Sequence, residues 1–191
     1  MNCIDNEIPF EIPDNWGFAR LSGITIKEIK RGKAPKYVEQ SEVKVLAQKC
    51  NLKAGGINLE LAQFLDETIL LKYPPEEYMV YGDSVINSTG IGTLGRVGYY
   101  DIEEDKVVPD SHVTTIRSSK ELEKRYVFLY LKSMQLYLEK AGEGSTNQKE
   151  LKPDTIKQVI IPIPPIDEQG RIIQKVLTVY ERLSAIENSL I

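Results

Sequence analysis

DEQGRIIQKVLTVYERLSAIENSLI, Asp167 to Ile191, carries apolar side chains at Ile172, Val176, Val179, Leu183, Ile186 and Leu190, spaced 4, 3, 4, 3 and 4. That spacing is an uninterrupted a/d heptad seam. The helix-breaking pair Pro164–Pro165 precedes it, and Asp167 is placed to cap the first turn. At ~1.5 Å per residue the helix spans roughly 37 Å. So narrow a seam leaves most of the circumference polar, whereas a helix lying on its own domain buries a broader stripe. The seam asks for a second helix, from another copy of the chain or from a different subunit. Packing on its own domain is the alternative.

Residues 1–165 are enough for one domain, and residues 166–191 form the appended helix of a 191-residue chain. With 41% apolar and 27% charged residues the composition supports a sizeable core. No run approaches the ~20 apolar residues of a membrane span, and no signal-peptide h-region stands at the start. Cys3 and Cys50 lack metal or redox spacing and read as reduced thiols of a cytoplasmic protein.

The net charge of −4 argues by itself against a nucleic-acid partner, but it conceals a gradient. Between Arg20 and Lys53 stand nine basic side chains against three acidic ones, while acidic residues gather at Glu76–Glu77 and Asp101–Asp105. A local basic face can supply phosphate contacts whatever the total charge. A solvated lysine-rich loop gives the same composition.

Read in order, Pro9–Trp16 is an extended lead-in, and Phe18–Ile29 alternates as one or two strands. Arg31–Gly56 is a long basic loop region with short strands. Asn58 caps a short helix through Phe64, and strands are expected at Thr68–Leu71 and Tyr78–Ile86. Further strands are expected at Val97–Tyr100, His112–Ile116 and Val159–Ile163. Ser118 and Glu121 form a capping box for a helix reaching about Glu139. The buried face of that helix is Leu122, Tyr126, Leu129, Tyr130, Met134, Tyr137 and Leu138. Many short strands with few helices predict an α+β domain, followed by a long coiled-coil helix.

Gly90–Val97 matches both the dinucleotide GxGxxG and the kinase GxGxxGxV strings. The dinucleotide motif needs a helix opening at its third glycine, yet Arg96–Tyr100 favours a strand, and the other kinase elements are missing. A structural or DNA-facing glycine turn fits better. Asp14 with Glu28-Ile-Lys30 resembles a Mg²⁺-dependent nuclease signature, but the same Glu-x-Lys string recurs at Glu42 and Glu150, which drains it of information. His112 stands without a second histidine or clustered cysteines, so no metal site and no cofactor are expected. It is either a polar strand residue or a hydrogen-bonding group for a base or phosphate. Gly144–Lys149 offers hydroxyls, amides and a cation of the kind that bond phosphates and base edges.

The succession IPDNW (Ile12–Trp16), GDSVINSTGIGTLGRVG (Gly82–Gly98), VPDSHVTTIR (Val108–Arg117), GSTNQKEL (Gly144–Leu151) and IPIPPIDEQGRI (Ile161–Ile172) resembles a target recognition domain of type I restriction–modification specificity subunits. The resemblance runs in order from Pro9 onward. It implies a non-catalytic reader of double-stranded DNA that recognises one half of a bipartite target. Methyltransferase (M) subunits dock on such a reader, and a restriction/motor (R) subunit can join them. A full-length specificity subunit has two such domains spaced by antiparallel helices. One domain and one helix imply either a half-subunit or half of a longer chain. Two copies pairing antiparallel through the seam would form a homodimer with two-fold symmetry.

The resemblance implies fold maintenance or phosphate contacts for Thr89, Thr93, Ser145, Asn147 and Gln148. Arg96, His112, Thr146 and Lys149 belong to the same strings and join the DNA-binding candidates. Sequence reading is expected chiefly in the basic Arg31–Lys53 region, where Arg31, Lys33, Lys36, Gln48, Lys49, Asn51 and Lys53 are candidate groove or backbone contacts. The other readings left open are a coiled-coil scaffold without a DNA role and the Mg²⁺-dependent nuclease.

Overall fold

The computed structural model describes residues 7–103, 106–145 and 148–189. Cys3, Thr146, Asn147 and Leu190 lie outside the described residues. Within them the chain is an α+β arrangement ending in a long helix.

A four-stranded sheet lies at the centre, with strand order β2 (Lys30–Arg31), β9 (Val113–Ile116), β6 (Ser84–Asn87), β7 (Val97–Tyr99), all antiparallel. Every residue of β6, β7 and β9 is buried. This is why SVIN, VGY and VTTI do not show the polar alternation of a half-solvated strand. Period-2 geometry sends Val85 and Val113 to one face and Ile86 and Ile116 to the other. Ile86 and Ile116 meet α1 (Lys124–Ser133) through Tyr126, Val127, Phe128 and Leu131.

Val85 and Val113 face a second sheet, of order β3 (Tyr37–Val38), β5 (Gln63–Leu65), β4 (Lys44–Leu46), β8 (Val107–Pro109), in which β4 and β8 are parallel. Leu46 and Val107 fill the space between the sheets with Cys50, Met79 and Tyr100. Val45, Leu65 and Val108 turn to the far side, against Tyr73. Each fully buried Leu or Ile here contributes about 1.5–3 kcal/mol.

A third pairing joins the ends of the domain: β1 (Gly17–Arg20) runs antiparallel to β10 (Ile160–Ile163). Between α1 and β10 lie α2 (Gln135–Lys140) and α3 (Pro153–Lys157), and α4 (Ile166–Ser189) follows β10. The Tyr126 and Tyr130 hydroxyls donate to the carbonyls of Pro162 and Ile160, at 2.9 and 2.8 Å, which lashes α1 to the strand that launches α4. Gln169 completes the joint. Its buried amide donates to Pro164 O and its Oε1 accepts from Glu123 N, both at 2.9 Å.

Several local expectations change. Thr68–Leu71 is not a strand but part of a 3-10 helix, Glu67–Lys72, because the Asp66 carboxylate accepts the Thr68 N–H at 2.9 Å and starts a turn. Asn58 does cap, but only the single turn Leu59–Leu61. Tyr78–Ile86 pairs only from Ser84, since Asp83 accepts the Val80 N–H and bends the chain before it. Phe18–Ile29 keeps only β1, because Leu21–Gly23 is a 3-10 turn. The capping box is absent. Glu121 N bonds the Ser119 hydroxyl instead, the helix begins at Lys124, and it divides at Met134. Its buried face is Tyr126, Val127, Phe128, Leu131 and Leu138, while Tyr137 is exposed.

The terminal helix begins one residue before Asp167, with Pro165 O accepting the N–H groups of Glu168 and Gln169. Asp167 therefore sits in the first turn, where a negative charge favours the helix dipole. Over 24 residues the helix reaches about 36 Å. Ile173 is buried and Leu177 partly buried against the core, so the first half of the helix rests on the domain. Along the seam Ile172 and Val176 are half-buried, whereas Val179, Leu183 and Ile186 are 45%, 51% and 55% exposed. No described helix is long and apolar enough to cross a membrane.

Candidate nucleic-acid interface

One end of the central sheet gathers most of the polar residues singled out by the sequence. There β6 ends at Asn87, β9 begins after His112, and the glycine-rich loop Ser88–Arg96 connects β6 to β7. Gln48, on a 3-10 turn, donates its amide to Thr89 O at 2.6 Å and to Thr89 Oγ1 at 2.5 Å. The Thr89 hydroxyl also contacts His112 Nδ1 at 2.9 Å, and the Thr93 hydroxyl donates to Thr89 O at 3.3 Å. His112 is held in turn by its own N–H, which donates to Asp110 Oδ1 at 2.7 Å. Burial pushes the Asp110 carboxyl up, with the His112 N–H pulling the other way.

The loop is stiffened from its far side as well. Arg96 donates to Asn51 O at 2.9 Å and to Gly92 O at 3.3 Å. Asn51 is fully buried, and its amide donates to Asn87 Oδ1 and Arg96 O, each at 3.0 Å. Gly90, Gly92 and Gly95 all have positive φ, between 73° and 104°, which L side chains rarely adopt. A Cβ at Gly90 would also enter the space of Thr93 and Gln48, and one at Gly95 would lie 2.5 Å from Glu139 N. These glycines serve a structural turn; no helix opens at the third one, since β7 follows.

Beside this loop, Glu143 and Glu150 pair through two backbone hydrogen bonds of 2.9 and 2.8 Å. Thr89 bridges to Glu150, and Leu151 N bonds Ser88 O at 2.8 Å, which fixes this pair to the end of β6. Ser145, Gln148 and Lys149 are exposed.

The basic stretch looks different in three dimensions. Arg31 pairs with Glu150. Lys36 pairs with Asp66 at 2.5 Å, a contact that, with the Thr68 N–H, holds the Asp66 carboxyl down to about 2. Buried Glu77 receives Lys30 at 3.0 Å and Lys33 at 3.5 Å. Burial would raise its carboxyl, but the lysines, Lys30 foremost, carry it below the ordinary value. Lys33 also donates to Lys72 O and lies over the Tyr73 ring. Lys27 is buried near Arg117, and burial lowers its ammonium to about 8. Carboxylates from residues 66, 77 and 150 thus neutralise much of the basic segment, which ties its loops down.

Three cations around the glycine-rich loop have no carboxylate partner among the described residues: Lys49 next to Gln48, Lys149 next to Glu150, and Arg96 on the loop itself. Lys53 lies elsewhere, with Lys132 and Arg125, along a cleft of about 940 Å³ between α1 and α4. The nuclease candidates do not come together. Asp14 is exposed in the lead-in, while Glu28 approaches Lys30 at 3.9 Å. Sequence reasoning missed Gln169, whose amide looks like any polar helix residue, and Ile91, which is 81% exposed between two glycines.

Solved structures share this fold. A chain of a type I R-M system, studied for complex assembly and conformational transition, is 17% identical with a TM-score of 0.74, covering 95% of this chain and 42% of its own. The HsdS subunit from Thermoanaerobacter tengcongensis is 17% identical with a TM-score of 0.72, covering 95% and 41%. A type I restriction–modification S subunit from M. genitalium is 14% identical with a TM-score of 0.58, covering 94% and 43%. This chain therefore spans about two-fifths of the length of the structures it matches. The type I restriction modification DNA specificity domain family matches residues 13–191, from the lead-in through both four-stranded sheets to the end of the helix. On that match the chain belongs to the type I restriction–modification DNA specificity domain family.

Proposed function

We propose that the chain reads one half of a bipartite site on double-stranded DNA and recruits methyltransferase subunits to it in the cytoplasm, without catalysing a reaction itself. The observation that carries this reading is the family match over residues 13–191. The sheet end, with its braced loop and cations that have no carboxylate partner among the described residues, supplies a surface suited to it. Lys49, Arg96 and Lys149 contact phosphates, and the exposed groups of His112, Ser145, Gln148 and Ile91 face the groove. Arg31 ties the surface to Glu150, buried Asn51 holds Asn87 and the Arg96 carbonyl, and Thr89, Thr93 and Gln48 brace the loop, while Lys33 and Lys36 pair with Glu77 and Asp66. Methylation sequencing of cells expressing the chain with its methyltransferase tests the reading. A sequence-dependent methylation mark is expected, and a genome without one would refute it.

The exposed seam of Val179, Leu183 and Ile186 supports assembly through α4. In an antiparallel homodimer it would set two identical readers about one helix length apart, and the target would be an interrupted palindrome. These side chains contribute little to the fold of the domain itself, so Leu183→Asp with Ile186→Asp is expected to give folded monomers whose melting temperature no longer depends on protein concentration. Sedimentation at micromolar concentration checks this. A double variant that stays dimeric would place the interface elsewhere. A scaffold without DNA contacts would use the same seam, and it predicts equal affinity for DNA and for a neutral polymer.

A further inference from the structure

Most polar side chains of the glycine-rich loop spend their hydrogen bonds on the loop. The Gln48 amide, the Thr89 and Thr93 hydroxyls and the Arg96 guanidinium all bond loop atoms or the segments that carry it. What this bracing presents outward is apolar: Ile91, at the apex between Gly90 and Gly92, with 81% of its surface exposed. Exposure alone does not single it out, since Leu71 and Ile26 are also exposed. Its setting does. Lys49, Arg96 and Lys149 stand on or next to segments bonded to the loop, without carboxylate partners among the described residues, so an anionic polymer attracted to them is drawn to the loop that carries Ile91. A side chain fixed in this way binds without the entropic cost of ordering a mobile loop.

We propose that Ile91 is an apolar base-contacting residue of this chain, packing on a DNA base in the groove over which the glycine-rich loop sits. The inference rests on the reading of the chain as a DNA reader. Two modes share this chemistry: contact with a thymine C5-methyl group in the major groove, or a wedge between base steps from the minor groove.

The test uses the full chain with its methyltransferase and a duplex carrying the target located by methylation sequencing. Ile91→Ser is expected to lower affinity for that duplex roughly tenfold, in line with the lost burial of one aliphatic side chain, and to lower affinity for an unrelated duplex by less. Ile91→Leu should retain binding, and both variants should melt with the wild type because the side chain is solvated in the free protein. If deoxyuridine at one target thymine erases the difference between wild type and Ile91→Ser, the contact is with the methyl group. A rise in 2-aminopurine fluorescence with wild type, absent with Ile91→Ser, identifies the wedge. Equal target affinity of Ile91→Ser and wild type overturns the inference while the DNA-reading function stands. A wild type that does not discriminate between target and unrelated DNA refutes the DNA-reading function itself, and the inference with it.

Discussion

Asp83→Ala is expected to destabilise the domain by about 3–5 kcal/mol, the cost of removing one partner of a buried ion pair. Asp83 is 1% exposed and stands at the bend before β6. Its carboxylate accepts Arg117 Nε at 2.9 Å, a second guanidinium N–H at 2.7 Å and the Val80 N–H at 3.0 Å. Arg117 follows β9 and also donates to Tyr78 O at 2.7 Å, so one guanidinium fastens the approach to β6 to the end of its neighbour. Without Asp83 the guanidinium stays largely buried with no counter-charge. Lys27, already lowered by burial and by Arg117, loses an attraction that holds its proton. Urea unfolding is the measurement, with a shifted midpoint at constant slope. Asp83→Asn retains an acceptor for Val80 and should lose less. Asp83→Ala combined with Arg117→Met should recover part of the loss, because both charges are then gone. A shift below about 1 kcal/mol for Asp83→Ala would put this pair among exposed ones of little worth.

How far the sequence exposes this structure depends on how local each cause is. The terminal helix is legible because its seam and its proline stop are written within one segment. Strands β7, β9 and β10 are legible as short apolar runs. The bend at Asp83 and the 3-10 turn at Asp66 are not, since each depends on one carboxylate taking a nearby N–H inside a run whose apolar pattern says strand. α1 buries Val127, Phe128 and Leu131 besides the expected Tyr126, because it lies between the sheet and β10.

The charge of the basic segment is the least local property of all. Lys30, Lys33, Lys36 and Arg31 are neutralised by Glu77, Asp66 and Glu150, each distant in sequence, so a windowed count overstates the free charge. The glycine-rich loop shows the converse. Its polar residues suggest contacts with a ligand, whereas the fold turns them inward and leaves the isoleucine outside.

That distribution of charge leads to the second large effect. Lys49→Gln with Lys149→Gln removes two cations that have no carboxylate partner among the described residues. Each phosphate contact contributes about 0.9 to the slope of log affinity against log salt. The double variant should therefore show a slope shallower by roughly 1.8, and between about 50 and 200 mM salt wild type should lose ~10-fold more affinity than the variant does. Lys36→Gln with Asp66→Asn is the matched control. It removes a pair with no net charge and keeps an acceptor for the Thr68 N–H, so its slope should equal that of wild type. The comparison separates free from paired lysines in a chain whose net charge is −4. If the control flattens the slope as much as the Lys49 and Lys149 variant, the DNA lies along the basic segment rather than around the glycine-rich loop. If neither variant changes it, the phosphates are held by another face of the domain.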